Sequence, residues 1–159
     1  MHRRLLVTCE HASNRVPKEY APLFADAADI LATHRGYDLG ALEVARAFGR
    51  KLDVTPFAAK TTRLVVDLNR SPGNRNVFSA YTRSLPAEQR TAALDAHYWP
   101  YRRAVEDFVA QALDAGETVL HISTHSFTPM LRGEVRNCDI GFLYDPREAG
   151  EVRFIEAWY

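Results

Sequence analysis

Two histidines stand at comparable places in the chain. His11 closes the run LLVTCEH and His125 closes ETVLHISTH. Apolar runs of this kind read as buried strands, and in α/β sheets ligands gather beyond the carboxyl ends of strands. Two imidazoles brought to one rim could hold Zn²⁺ or another divalent transition metal such as Co²⁺. A catalytic zinc takes a third protein ligand, often a carboxylate. Asp38 and Glu10 are the candidates, with Asn14 a weaker, neutral donor. Asp38 also stands where the N-cap of a following helix is expected. Glu10 adjoins His11, so the two can share an ion only if the strand has already turned there. Taken singly, either histidine is better explained as a hydrogen-bonded loop residue; the pair at equivalent strand ends brings the metal reading level with it.

A second group is cationic. In RLVVDLNRSPGNRN, residues 63–76, Arg70 follows an apolar run directly, Asn69 precedes it and Arg63 opens it. A guanidinium pairs bidentately with a carboxylate and an amide adds directional hydrogen bonds, so this set could grip a small acid. Arg136, just before residues 138–145, is a weaker candidate for the same purpose. The plainer alternative is a solvated arginine, a turn-forming asparagine, and Asp67 paired with one of the arginines. Ser13 and Ser126 lie near histidines, but there is no G-x-S-x-G elbow. Cys9 falls inside the first apolar run and reads as packed rather than nucleophilic.

The elements that must position these groups follow from periodicity. Residues 4–9, 54–58, 62–69, 117–124 and 138–145 read as strands, with 62–69 and 117–124 covered on both faces. Residues 19–33 are helical in composition. Leu39, Leu42, Ala45, Phe48 and Leu52 keep helical spacing, with Asp38 as the N-cap. Residues 86–99 read as a helix that Pro100 should kink or restart, continuing to Gly116. A last helix follows Asp145-Pro146, with Val152 and Ile155 on its apolar face. Strands alternating with helices predict an α/β fold, a three-layer sandwich with a mixed, mostly parallel sheet of hydrolase type. Residues 1–159 are expected to form one such domain. The last apolar face is still running at Tyr159, so a C-terminal portion is expected to be missing.

Composition narrows the partners. Twenty Lys and Arg balance twenty Asp and Glu, so the chain lacks the electrostatic footprint of a nucleic-acid or membrane-surface binder. Two cysteines do not make a disulfide framework. No run is long enough for a membrane span, and the N-terminus has no signal-peptide core. These absences lead to the expectation of a cytoplasmic protein; oligomeric state is not legible.

With CEHASNRVP, HRGYDLGA, RLVVDLNRSP and THSFTP in that order, the chain resembles the N-formylglutamate amidohydrolase family from about residue 5 to residue 145. That family is similar in fold to zinc exopeptidases of the carboxypeptidase type. The resemblance implies that His11 and His125 bind the metal, with Asp38, from the YDLGA segment, as third ligand. It implies that Asn69 and Arg70 bind the carboxylate of a small acidic N-acyl amino acid, for which the residues alone offer Arg63 and Arg136 as further candidates. It departs from the exopeptidases in two ways. Asn14 stands where they have a metal-binding glutamate, and their late catalytic glutamate would fall beyond Tyr159. Either the base is absent from this chain or Glu10 serves. The implied reaction is hydrolysis of N-formyl-L-glutamate to formate and glutamate. Alternatives are a hydrolase of another N-acyl amino acid and a non-catalytic small-acid binding module.

Overall fold

In the computed structural model, residues 3–131 and 133–158 are described. The chain divides into two compact units, Met1–Phe127 and Thr128–Tyr159. The first unit carries a parallel sheet of three strands, β1 (Arg3–Cys9), β2 (Phe57–Ala58) and β3 (Thr118–Ser123), in the order β2-β1-β3. β1 is the central strand. It runs in register with β3 from Arg3 opposite Thr118 to Thr8 opposite Ser123, and it meets β2 only at Thr8 and Cys9. The central position explains why Leu6, Val7, Thr8 and Cys9 are all buried. β3, expected to be covered on both faces, is instead half-exposed, because nothing described pairs with its outer edge.

The helices are α1 (Ala28–Leu31), α2 (Ala41–Leu52), α3 (Ala87–Ala93) and α4 (Trp99–Asp114), with a 3₁₀ stretch at Lys18–Phe24. The expected helix over 19–33 is thus broken, consistent with Pro22 inside the 3₁₀ stretch. α2 buries Ala41, Ala45 and Gly49, a stripe of small residues rotated from the predicted one. Leu39 and Leu52 are exposed, and Leu42 and Phe48 pack only partly against the core. Asp38 does not cap α2. The N-cap is Gly40 at φ +80°, without a side-chain capping bond, because the Asp38 carboxylate is engaged elsewhere. α3 and α4 are joined by a π turn at Leu94–Tyr98, so helical structure continues across Pro100. Pro100 has no N–H to donate, and a wider turn just before it accommodates the lost bond.

The predicted strand over 62–69 is absent. These residues are mostly buried, but they form a chain of turns. Their backbone groups are satisfied without a ladder: Asp67 N–H donates to the Val77 carbonyl at 2.8 Å, and the Thr82 hydroxyl to the Val65 carbonyl at 2.9 Å. The apolar run reported burial, not extension.

The second unit holds a short antiparallel hairpin, β4 (Met130–Leu131) with β5 (Glu134–Val135), and the helix α5 (Ala149–Trp158). The strand expected at 138–145 does not form; apolar alternation alone makes no strand where no neighbouring edge pairs with it. The helix expected after Pro146 is α5, and Phe142 lies against Trp158 with ring centroids 5.0 Å apart.

Gly36 lies in the turn that leads to Asp38, and its carbonyl accepts the Thr62 hydroxyl at 2.7 Å. A Cβ there would stand 2.8 Å from the Leu31 Cα. Gly36→Ala is therefore expected to destabilise the fold by about 1–3 kcal/mol, read as a lowered urea midpoint. An unchanged midpoint would show that this turn is not packed as described.

Candidate metal centre

The chain turns immediately after β1, at Glu10 and His11. That turn lets two adjacent side chains serve one locality, which an extended strand would forbid. His11 is 2% exposed. Its Nδ1 lies 3.4 Å from Asp38 Oδ2, and its Nε2 lies 2.7 Å from Asp67 Oδ1. Asp38 is delivered by the loop before α2, where its N–H donates to the His11 carbonyl at 2.9 Å. His125 arrives from the exit of β3, which is pinned to β1 by Thr124: its N–H and hydroxyl both donate to the Thr8 carbonyl, at 2.9 and 3.0 Å. His125 Nδ1 lies 2.7 Å from the same Asp38 Oδ2, and the two imidazole centroids are 5.1 Å apart.

His11, Asp38 and His125 thus place one ligand atom each within 4.8 Å of the others. Two imidazoles and a carboxylate suit Zn²⁺ and related ions, and three protein ligands leave a coordination position for water or substrate. The surroundings fit the same use. Each histidine turns Nδ1 toward Asp38 and Nε2 toward a further carboxylate: Asp67 for His11, and Glu10 Oε2, at 3.4 Å, for His125. A carboxylate on the far ring nitrogen fixes the tautomer and raises ligand basicity.

Three carboxylates in one buried region need compensation. Asp67 accepts from His11, from the Asn69 N–H at 3.0 Å, from Arg63 Nη2 at 3.2 Å and from Arg70 Nε at 3.1 Å. Arg63 also reaches Asp38 Oδ1 at 3.3 Å, so it ties two carboxylates of the site together. Glu10 accepts from the Ser123 hydroxyl at 2.7 Å and the Tyr101 hydroxyl at 3.1 Å. Burial pushes the Glu10 carboxyl up, but hydrogen bonds from His125, Ser123 and Thr8 outweigh it and hold it at about 2. Burial also opposes ionisation of Asp67, yet His11 and Arg63 bring it to about 2, and the two histidines hold Asp38 well below the usual carboxylate range. His125 is pushed up to about 9 by Asp38 and then Glu10. His11 is raised as well: burial disfavours its charge, but Asp38 and Asp67 prevail.

Of the predicted site residues, the structure brings together Glu10, His11, Asp38, Arg63, Asn69, Arg70 and His125. The Asn69 amide nitrogen lies 3.5 Å from His125 Nε2. Arg136 belongs to the second unit, where its N–H donates to the Pro129 carbonyl at 2.8 Å. Sequence reasoning missed Asp67 as a histidine partner. Its signal was its place inside a buried run, two residues before Asn69. Tyr101 and Ser123 carried no signal, since each reaches Glu10 only through tertiary packing.

A family model for N-formylglutamate amidohydrolase matches residues 3–156. The chain belongs to the N-formylglutamate amidohydrolase family. A crystal structure of a gene product from Agrobacterium tumefaciens is similar to it, at 34% identity and a TM-score of 0.81, over 89% of this chain and 59% of that one. This member of the family therefore spans somewhat under two thirds of that relative's length. No curated protein matches the chain. Among the described residues, no helix is long and apolar enough to cross a membrane.

Proton and metal compete for the same imidazoles. Zinc binding at neutral pH is expected to release protons, and affinity should rise with pH until it levels off above about 9, where His125 is already neutral. Calorimetry in buffers of different ionisation enthalpy measures this; proton release that is nil at neutral pH counts against His125 as a ligand. Asp67→Asn should weaken zinc binding by about 10–100-fold in a chelator competition, since it removes the anion behind His11.

Proposed function

We propose that the chain hydrolyses the formyl amide of N-formyl-L-glutamate, or the acyl amide of a similar small N-acyl amino acid. Water adds across the C–N bond, which breaks to give formate and the free amine of glutamate. The observation that carries this reading is the convergence of His11, Asp38 and His125 beside Asn69 and Arg70, in a chain of this family. In this reading His11, Asp38 and His125 hold Zn²⁺, or Co²⁺ in its place. When bound, such an ion polarises a carbonyl and lowers the pKa of water.

The remaining chemistry falls to side chains. Arg70 contacts Asp67 Oδ2 through Nε, and the Asn69 N–H donates to the same carboxylate. We assign Asn69 and Arg70 to orient the substrate carboxylate, with Arg63 supporting from between Asp38 and Asp67. Fixing the acid in this way lowers the orientation cost of attack. Glu10 is the carboxylate assigned to carry the proton toward the leaving amine, and Tyr101 and Ser123 fix where it stands. The same reading keeps the expectation of a three-layer sandwich working in the cytoplasm.

The test is turnover of N-formylglutamate by zinc- or cobalt-loaded protein, beside N-acetylglutamate and N-formyl derivatives of neutral amino acids. Formylglutamate is expected to be preferred, and His125→Ala to abolish turnover. Arg70→Ala should raise KM by about tenfold or more while kcat changes less, the loss of one charge-assisted clamp. Glutamate binding with no turnover of any substrate would replace the hydrolase with a small-acid binding module.

A further inference from the structure

A cavity of about 370 Å³ lies among Arg15, Pro17, Lys18, Glu19, Lys60, Thr61 and His97. It shares no residue with the metal centre. Its walls come from three stretches far apart in the chain: the segment after His11, the segment before Arg63, and the π turn. Three cations line it against one carboxylate. Among the described residues, none of Arg15, Lys18 and Lys60 has an ion-pair partner. Glu19, the carboxylate within reach, is engaged instead by His97, whose Nε2 lies 3.3 Å from Glu19 Oε1.

His97 is itself held in place. Its Nδ1 is 3.5 Å from the Thr61 hydroxyl, its ring lies edge-on to Tyr20 at 5.9 Å, and the π turn that carries it is an irregularity often found at functional positions. The cationic walls are likewise tied to each other. The Thr62 N–H donates to the Arg15 carbonyl at 2.8 Å, and the Ser13 hydroxyl to the Lys60 carbonyl at 3.4 Å. Like charges gathered on a concave wall raise one another's energy and focus their field into the space between them. An anion placed there relieves that repulsion, and a preformed wall spares it the cost of ordering the backbone.

We propose that this cavity binds a small dianion: a phosphate group or a short dicarboxylate, held by Arg15, Lys18 and Lys60 with the Thr61 hydroxyl as a further donor. The site is independent of the catalytic reading, since its residues are not those of the metal centre or the carboxylate clamp. Because Arg15 and Lys60 lie on the segments that lead to His11 and Arg63, an occupant would also brace the two loops that supply the metal centre.

The test is titration of the full chain, at low ionic strength, with inorganic phosphate and separately with glutarate, followed through backbone amide shifts. Saturable shifts at Arg15, Lys18 and Thr61 are expected with at least one probe, and the tighter probe names the preferred headgroup. The double variant Lys18→Gln/Lys60→Gln, and separately Arg15→Gln, should each weaken binding by about tenfold or more at unchanged Tm, and added salt should weaken it further. Affinity unchanged in both variants, or shifts confined to Asn69 and Arg70, would overturn the proposal.

Discussion

The first unit is organised around a buried imidazole with a carboxylate at each nitrogen. His11 is almost wholly removed from solvent, and Asp38 and Asp67 flank its ring. A buried ionisable group is costly unless it is paired and hydrogen-bonded. Here the pairing reaches outward: Asp67 draws in Arg63, Arg70 and the Asn69 N–H, Asp38 draws in His125, and His125 lies against Glu10. Removing one partner would leave another buried charge uncompensated, which is why such networks act as units. The loop before α2, the turns at 62–70 and the exit of β3 are thereby fixed to the end of β1 by polar contacts, where a larger sheet would use ladder bonds.

Much of the site was readable because its chemistry is concentrated at the ends of apolar runs. Glu10, His11 and His125 follow β1 and β3 directly, and Asn69 and Arg70 close the buried run over 62–68. What spacing could not supply is direction. It could not say that Asp38 gives its carboxylate to two histidines and leaves the cap of α2 to Gly40. Nor could it say that Arg63 spends its guanidinium on two carboxylates of its own chain. Tyr101 and Ser123 were invisible because a hydroxyl on a helix or strand gains meaning only from what packs opposite it.

The fold shows the same division. β1, α2, α4, β3 and α5 follow from period and composition, since each carries its own pattern. The run over 62–69 misled because β-branched residues report burial as readily as extension, and here side chains from Ser79 and Thr82 satisfy its carbonyls. The π turn has no sequence period at all. It shifts the helix phase just before Pro100, and with that shift Tyr98 reaches the Arg70 carbonyl at 2.8 Å while Tyr101 reaches Glu10. A single irregular turn therefore backs both the cationic and the acidic side of the centre.

The two histidines differ sharply in access: His11 has 2% of its side chain in contact with solvent and His125 has 33%. In the proposed metal centre an ion would enter and leave by the open flank, so His125 would be the ligand it meets first on arrival and releases last on departure. Exchange kinetics should then be governed by that flank, while the sealed ring sets how deep the resting well is. A centre built this way would separate how fast it loads from how firmly it keeps an ion, and different residues would tune the two.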